Sequence, residues 1–234
     1  MKPYQGILAF ISYFLLQLMV YFYISETYYT VIAGTIAVIV FAFMLYRKQM
    51  LHMSSRDLKG SQLLFCLGIG FGMSLFFKIS ILITVLSGEP IPELSVPDGF
   101  LWMATSVLLL PVVEELLVRG MLFGSFSRFI SYPKAIVFSA TFFLFGHTKV
   151  SWPAVFVIGI LLAWIYWRTD NLAVTMVIHG TTNFGSLLAT PLYILLTTHR
   201  TIGVIVCLFV VFLGVLITYL STKMFLKKHD ALPT

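Results

Sequence analysis

The sequence predicts an all-α, polytopic membrane bundle of about eight transmembrane helices, on three observations. Hydrophobic residues make up 59% of the chain and charged residues only 10%, with a mean hydropathy of +0.99; a water-soluble domain of that composition would be coated in apolar surface. Apolar runs long enough to cross a hydrocarbon core of ~30 Å recur from one end of the 234 residues to the other. The runs lack the two-residue alternation of a barrel, so helices must satisfy the backbone in lipid. One membrane domain over 1–234 is the economical reading.

In order, the expected spans are 6–25, 28–46, 61–86, 100–119, 134–149, 152–168, 171–194 and 201–222. A lone Lys2 precedes the first run, which reaches Glu26 without a small-residue cleavage site, so it reads as a span and not as a removed signal peptide. Arg47, Lys48, Arg56 and Lys59 follow the second span, Arg119, Arg128 and Lys134 follow the fourth, and Lys223, Lys227 and Lys228 follow the last. The positive-inside rule turns these segments to the cytoplasm. The loop GEPIPELSVPDG, with Glu89, Glu93 and Asp98 and no basic residue, suits the opposite side, and both termini fall inside. The net charge of +6 therefore reports membrane orientation, and nucleic-acid binding is discarded. Cys66 and Cys207 lie far apart inside apolar runs and offer neither a disulfide framework nor a thiolate metal motif. Trp102, Trp152 and Trp167 suit interfacial anchoring, and Gly68, Gly72, Gly120, Gly124 and Gly159 can let helices approach closely. Lys78, within the third span, either snorkels to the outer interface or lines a cavity.

Seven of the nine acidic residues fall in loops or at span ends, whereas Glu114 and Glu115 follow LLLPVV inside the fourth span. A carboxylate there is opposed by at least ~2.5 kcal/mol even on lenient insertion scales. A buried ion pair accounts for Glu115, because Arg119 stands four residues on, along the same helix face. It does not account for Glu114, which projects about 100° away. Of the five histidines, His147 and His179 sit within spans. Phe143 lies one turn before His147, and Asn183 one turn after His179. Convergence of Glu114, His147, His179 and Asn183 in one cavity is the cheapest way to give all four polar company. Tilted helices, or a fourth helix continuing past Arg119 through GMLFGSFSRF, would bring their depths together. Pro111 removes a backbone hydrogen bond three residues before Glu114 and either kinks that helix toward the cavity or serves packing.

A carboxylate and an imidazole facing each other in a partly dry cavity can share the deprotonation of water, which makes a hydrolase. His179 and Asn183, aligned on one face, can donate to the oxyanion formed when water attacks a carbonyl. No serine or cysteine with a nearby base presents itself as a nucleophile. Glu114, His147 and His179 would also suffice as a zinc shell, yet HExxH spacing is absent; a mechanism without a cofactor is favoured and zinc stays open.

With these residues in view, the chain resembles the CPBP intramembrane proteases, the CAAX protease and bacteriocin-processing or Abi family. EELLVR (Glu114 to Arg119) fits EExxxR, FLFGH (Phe143 to His147) fits FxxxH, and HGTTN (His179 to Asn183) fits HxxxN, in the family's order. The resemblance covers about 100–195, which would form the catalytic core. It implies an eight-helix bundle and a glutamic-type endopeptidase, with Glu114 and His147 activating water, His179 and Asn183 holding the oxyanion, and Glu115, Arg119 and Phe143 shaping the site. It further implies a peptide or membrane-associated protein as substrate and a place in a bacterial cell membrane. A non-proteolytic membrane regulator or bacteriocin self-immunity protein on the same fold is the alternative. A proton-coupled transporter is disfavoured for want of repeat symmetry.

Overall fold

A computed structural model describes residues 2–23, 60–88, 103–186 and 189–230, with a few isolated positions besides. The second expected span, the basic loop after it and the acidic loop before the fourth span lie outside the described residues. Among those described, all regular structure is helical and no strand occurs. Helix α1 is Pro3–Tyr23. The third expected span is a pair, α2 (Gly60–Phe76) and α3 (Ile79–Ser87), broken at Phe77 and Lys78. Helix α4 covers 105–126 without a break and so does run on past Arg119. Helices α5 (Tyr132–Phe143), α6 (Trp152–Thr169), α7 (Leu172–Ser186), α8 (Thr190–Thr198) and α9 (Arg200–Asp230) complete the order.

Three stretches are long and apolar enough to cross a membrane individually, Gly60–Ser87, Lys149–Thr169 and Arg200–His229. Taken as one bent span, α7 and α8 make a fourth, with 42° between them. The seventh expected span is thus divided, α7 ending at Ser186 and Pro191 opening α8, where a missing N–H costs nothing. The fifth also departs from expectation. Its helix gives way to a tight turn at Leu144–Gly146, and His147 is extended (φ −127°, ψ 156°) in the link to α6. Pro153 in the first turn of α6 sets where that next helix begins.

Glycine explains the closest packing. Helices α2 and α9 run antiparallel, with Gly72 against Thr218 and Gly214, and Gly68 against Ser221, so tightly that a Cβ at Gly72 would collide with α9 backbone. Gly70, on another face of α2, lies against the Ile178 carbonyl of α7. Thr182 of α7 returns a hydrogen bond to the Gly70 carbonyl, 3.2 Å away. Helix α7 is thereby locked one helix in from α9. A core of Ile69, Met73, Leu162, Ile165, Val174 and Ile178 joins α2, α6 and α7. A second, around Leu117, Met121, Phe143 and Tyr166, joins α1, α4, α5 and α6.

Lys78 is 4% exposed, and its ammonium donates to the Gly185 carbonyl at 3.1 Å. Of the two placements open in the sequence, the structure selects an inward one, against the last turn of α7.

Candidate active site

Helix α4 is not uniformly α-helical. Thr105–Leu109 and Leu116–Phe123 are π-helical, and the α-helical Leu110–Glu115 between them carries both glutamates. Pro111 accounts for much of this. The Leu110 N–H bonds to the Thr105 carbonyl, so the Ser106 carbonyl is next in line for an N–H at 111, which proline lacks. The Asn183 amide takes up that acceptor, Nδ2 donating to Ser106 O at 2.9 Å. The neighbouring Val107 carbonyl abuts Gly180, close enough that a Cβ there would clash. Proline in α4 and small or polar residues in α7 are therefore two halves of one contact, which sets the height of His179 relative to Glu114 and Glu115.

Around that contact the charges sort by depth. Glu115 and Arg119 are completely buried, and Arg119 Nη1 donates to Glu115 Oε1 at 2.8 Å. Arg119 also donates through Nη2 to the Gly159 carbonyl of α6 at 3.1 Å, and its guanidinium lies 4.6 Å from the centre of the Phe143 ring. One side chain of α4 thus grips α5 and α6 together, using the planar fork and stacking face that lysine lacks. Close approach at Gly159, against Ala140 and Phe143, makes its carbonyl reachable.

His179 sits between the two glutamates. Its Nδ1 is 2.9 Å from Glu115 Oε1 and its Nε2 is 3.5 Å from Glu114 Oε2. A carboxylate only accepts, so Nδ1–H donates to Glu115, and the ring's orientation is fixed from the buried side. Phe143 meets His179 edge to face at 5.5 Å and so holds the same ring from α5. Glu114, 26% exposed at the side chain, looks outward from the same spot.

His147 occupies the rim. Its Nδ1 lies 3.0 Å from the Phe143 carbonyl, which requires Nδ1–H as donor and leaves Nε2 as an unprotonated acceptor when the ring is neutral. Trp152 fixes its backbone by donating from the indole to the His147 carbonyl at 3.1 Å. Glu114, His179 and Arg119 all act electrostatically on the His147 ring.

Each residue singled out in the sequence therefore borders this cluster. Glu115, Arg119, Phe143 and His179 touch one another, Glu114 faces His179, His147 packs on Phe143 with ring centres 4.9 Å apart, and Asn183 ties α7 to α4. Sequence reasoning had paired Glu115 with Arg119 alone; its grip on His179 depends on the register of α4 against α7 and has no signature in spacing. Ser106, the Gly159 carbonyl and Trp152 were likewise missed as partners. The only signal for them was Pro111 and the glycine itself.

The zinc alternative is testable on the side chains. Both imidazoles expose the Nε2 tautomer that a metal would use. Even so, no three His, Cys, Asp or Glu side chains among the described residues are grouped as metal ligands, Glu114, His147 and His179 included.

Neither a curated protein nor a solved structure matches the chain. A family model does, that of the type II CAAX prenyl endopeptidase Rce1-like proteins, over residues 96–185. That stretch contains all of α4, α5 and α6 and nearly all of α7, the four helices that build the cluster. In residues 96–185, then, the chain is similar to the Rce1-like type II CAAX prenyl endopeptidases.

Proposed function

We propose that the protein is an intramembrane endopeptidase that hydrolyses a peptide bond in a membrane-associated protein or peptide, with water as the attacking nucleophile. The observation that carries the reading is His179 clasped between Glu115 at 2.9 Å and Glu114 at 3.5 Å in an almost dry site. A purely structural ion pair needs Glu115 and Arg119 only. A second, partly exposed carboxylate aimed at the far nitrogen of an oriented imidazole is the arrangement of a working acid–base pair.

In this reading the scissile carbonyl enters between Glu114, His147 and His179. Glu114 and His147 Nε2 share the proton lost by water as its oxygen bonds to the carbonyl carbon. The carbonyl oxygen takes on negative charge and accepts from Nε2–H of His179, which acts here as the doubly protonated imidazolium with its Nδ1–H held by Glu115. Asn183, one turn along α7, keeps one amide hydrogen on Ser106 and offers the second to the same oxygen. When the carbon–nitrogen bond breaks, the proton held by Glu114 and His147 passes to the departing amine. No step needs a cofactor.

The same proposal places about eight spans across a bacterial cell membrane with both termini in the cytoplasm. The apolar helices and the matched family support the membrane setting.

The test is cleavage of membrane-associated peptides by detergent-purified protein in water enriched in ¹⁸O, with and without a strong zinc chelator. Single incorporation of label into the new carboxylate, undiminished by the chelator, is expected. Loss of cleavage on chelation with rescue by zinc would overturn the cofactor-free mechanism. An absence of any cleavage, with Glu114→Gln still supporting the cellular phenotype, would favour a non-proteolytic regulator or self-immunity protein.

A further inference from the structure

Away from the site, α2, α6 and α9 enclose a cavity of about 450 Å³, within the usual ligand range of ~300–1,000 Å³. Its walls include Met73, Phe76, Leu161, Trp164 and Val215, with Lys223 as the charged residue. Thr218 and Thr222 border it too, yet their hydroxyl oxygens are buried and have no hydrogen-bond partner among the described residues, Thr218 Oγ1 being pressed on Gly72. The surface offered is thus almost entirely apolar, with the phenol of Tyr219 and the cation of Lys223 as its polar groups. A peptide or nucleotide lodged there would leave its polar groups desolvated and without partners, which opposes binding. A hydrocarbon chain would not.

The dimensions agree. Along α9 the lining runs from Val215 to Leu226, a rise of about 16 Å at ~1.5 Å per residue. One leaflet is half of a ~30 Å core. Lys223, Lys227 and Lys228 make the C-terminal end of α9 basic, which sets the cation toward the headgroup side of a leaflet. Lys227, one turn on, lies along the same stripe, while Lys228 is engaged over the Phe65 ring at 5.3 Å.

We propose that this cavity is a specific site for an acidic phospholipid, one acyl chain filling it and the phosphate held by Lys223 and Lys227. Basic pockets between membrane helices are suited to anionic headgroups, each basic residue contributing a roughly fivefold gain in affinity. Because α2 is also the helix against which α7 is locked through Gly70 and Thr182, occupancy stiffens the support of His179 from behind.

Trp164 is a built-in reporter. Phosphatidylglycerol and phosphatidylcholine, each with brominated acyl chains, would be titrated into delipidated protein in detergent, Trp164→Phe serving to isolate the quenched signal. The expected result is saturable quenching of Trp164 at lower mole fraction for phosphatidylglycerol. A Lys223→Ala/Lys227→Ala variant should lose about 30-fold in phosphatidylglycerol affinity, and Val157→Phe, which narrows the cavity, should weaken both lipids, with unchanged thermal midpoints in detergent as the control on folding. Equal quenching by the two lipids in the wild type would mean bulk lipid only, and an undiminished preference in the lysine variant would remove the assigned headgroup contact; either overturns the proposal. So would displacement of both lipids by a membrane peptide, which would give the cavity to a peptide.

Discussion

Glu115 Oε1 accepts from both Arg119 and His179, so a single substitution there disturbs two helices at once. Glu115→Gln leaves the Arg119 charge fully buried without its counter-ion. Breaking such a pair from one side costs about 3–5 kcal/mol, and a fall of roughly 10 °C in the thermal midpoint is expected in detergent, together with loss of cleavage. A midpoint within a degree or two of wild type would show that the pair is not structural. Glu114 is the contrast, since it is partly exposed and no helix hangs on it. That division of labour between adjacent residues was half legible in the sequence. The i,i+4 spacing assigned Glu115 to Arg119 and left Glu114 for chemistry, but the second hydrogen bond to His179 comes from a helix some sixty residues later, and no local pattern encodes it.

At the level of elements, Pro111 is the informative case. The sequence showed that a backbone hydrogen bond must be missing there without saying which group would replace it. The structure supplies the answer in Asn183, from the HxxxN segment itself. Pro111→Ala restores an N–H that competes for the Ser106 carbonyl and, by removing a poor helix former, stabilises α4 by up to ~3 kcal/mol. The thermal midpoint should therefore hold or rise, while cleavage falls about tenfold as Asn183 loses its anchor, equivalent to ~1.4 kcal/mol of barrier. Loss of both stability and activity would mean that the proline serves packing only. Span ends were read less well. His147 was placed inside a helix because the expected span ran over 134–149, yet lipid-compatible composition does not distinguish a helix from a turn held inside protein, and the chain leaves the helix at Gly146. The division of α7 from α8 escaped notice for the same reason.

For the molecule as a whole, composition sufficed to predict that the regular structure is helical, because hydrocarbon permits few alternatives. The arrangement of those helices was not legible, since close contacts such as Gly72 with Gly214 pair positions over a hundred residues apart. Orientation is open to direct test. Cys66 and Cys207 are both buried, so introduced cysteines report cleanly to a membrane-impermeant maleimide. Lys2→Cys and Lys227→Cys should label only after cells are permeabilised, and Ser95→Cys, in the acidic loop, should label in intact cells. Labelling of either terminal position in intact cells would reverse the assigned topology.

The most direct test of the central claim is cleavage of a membrane-associated peptide by Glu114→Gln beside wild type, with thermal midpoints measured on the same samples. A drop of about 10²–10⁴ in rate at an unchanged midpoint is predicted, as for removal of a positioned acid–base group. Retention of wild-type cleavage by the correctly folded variant would contradict the assignment of Glu114 to the chemistry and, with it, the account of the site.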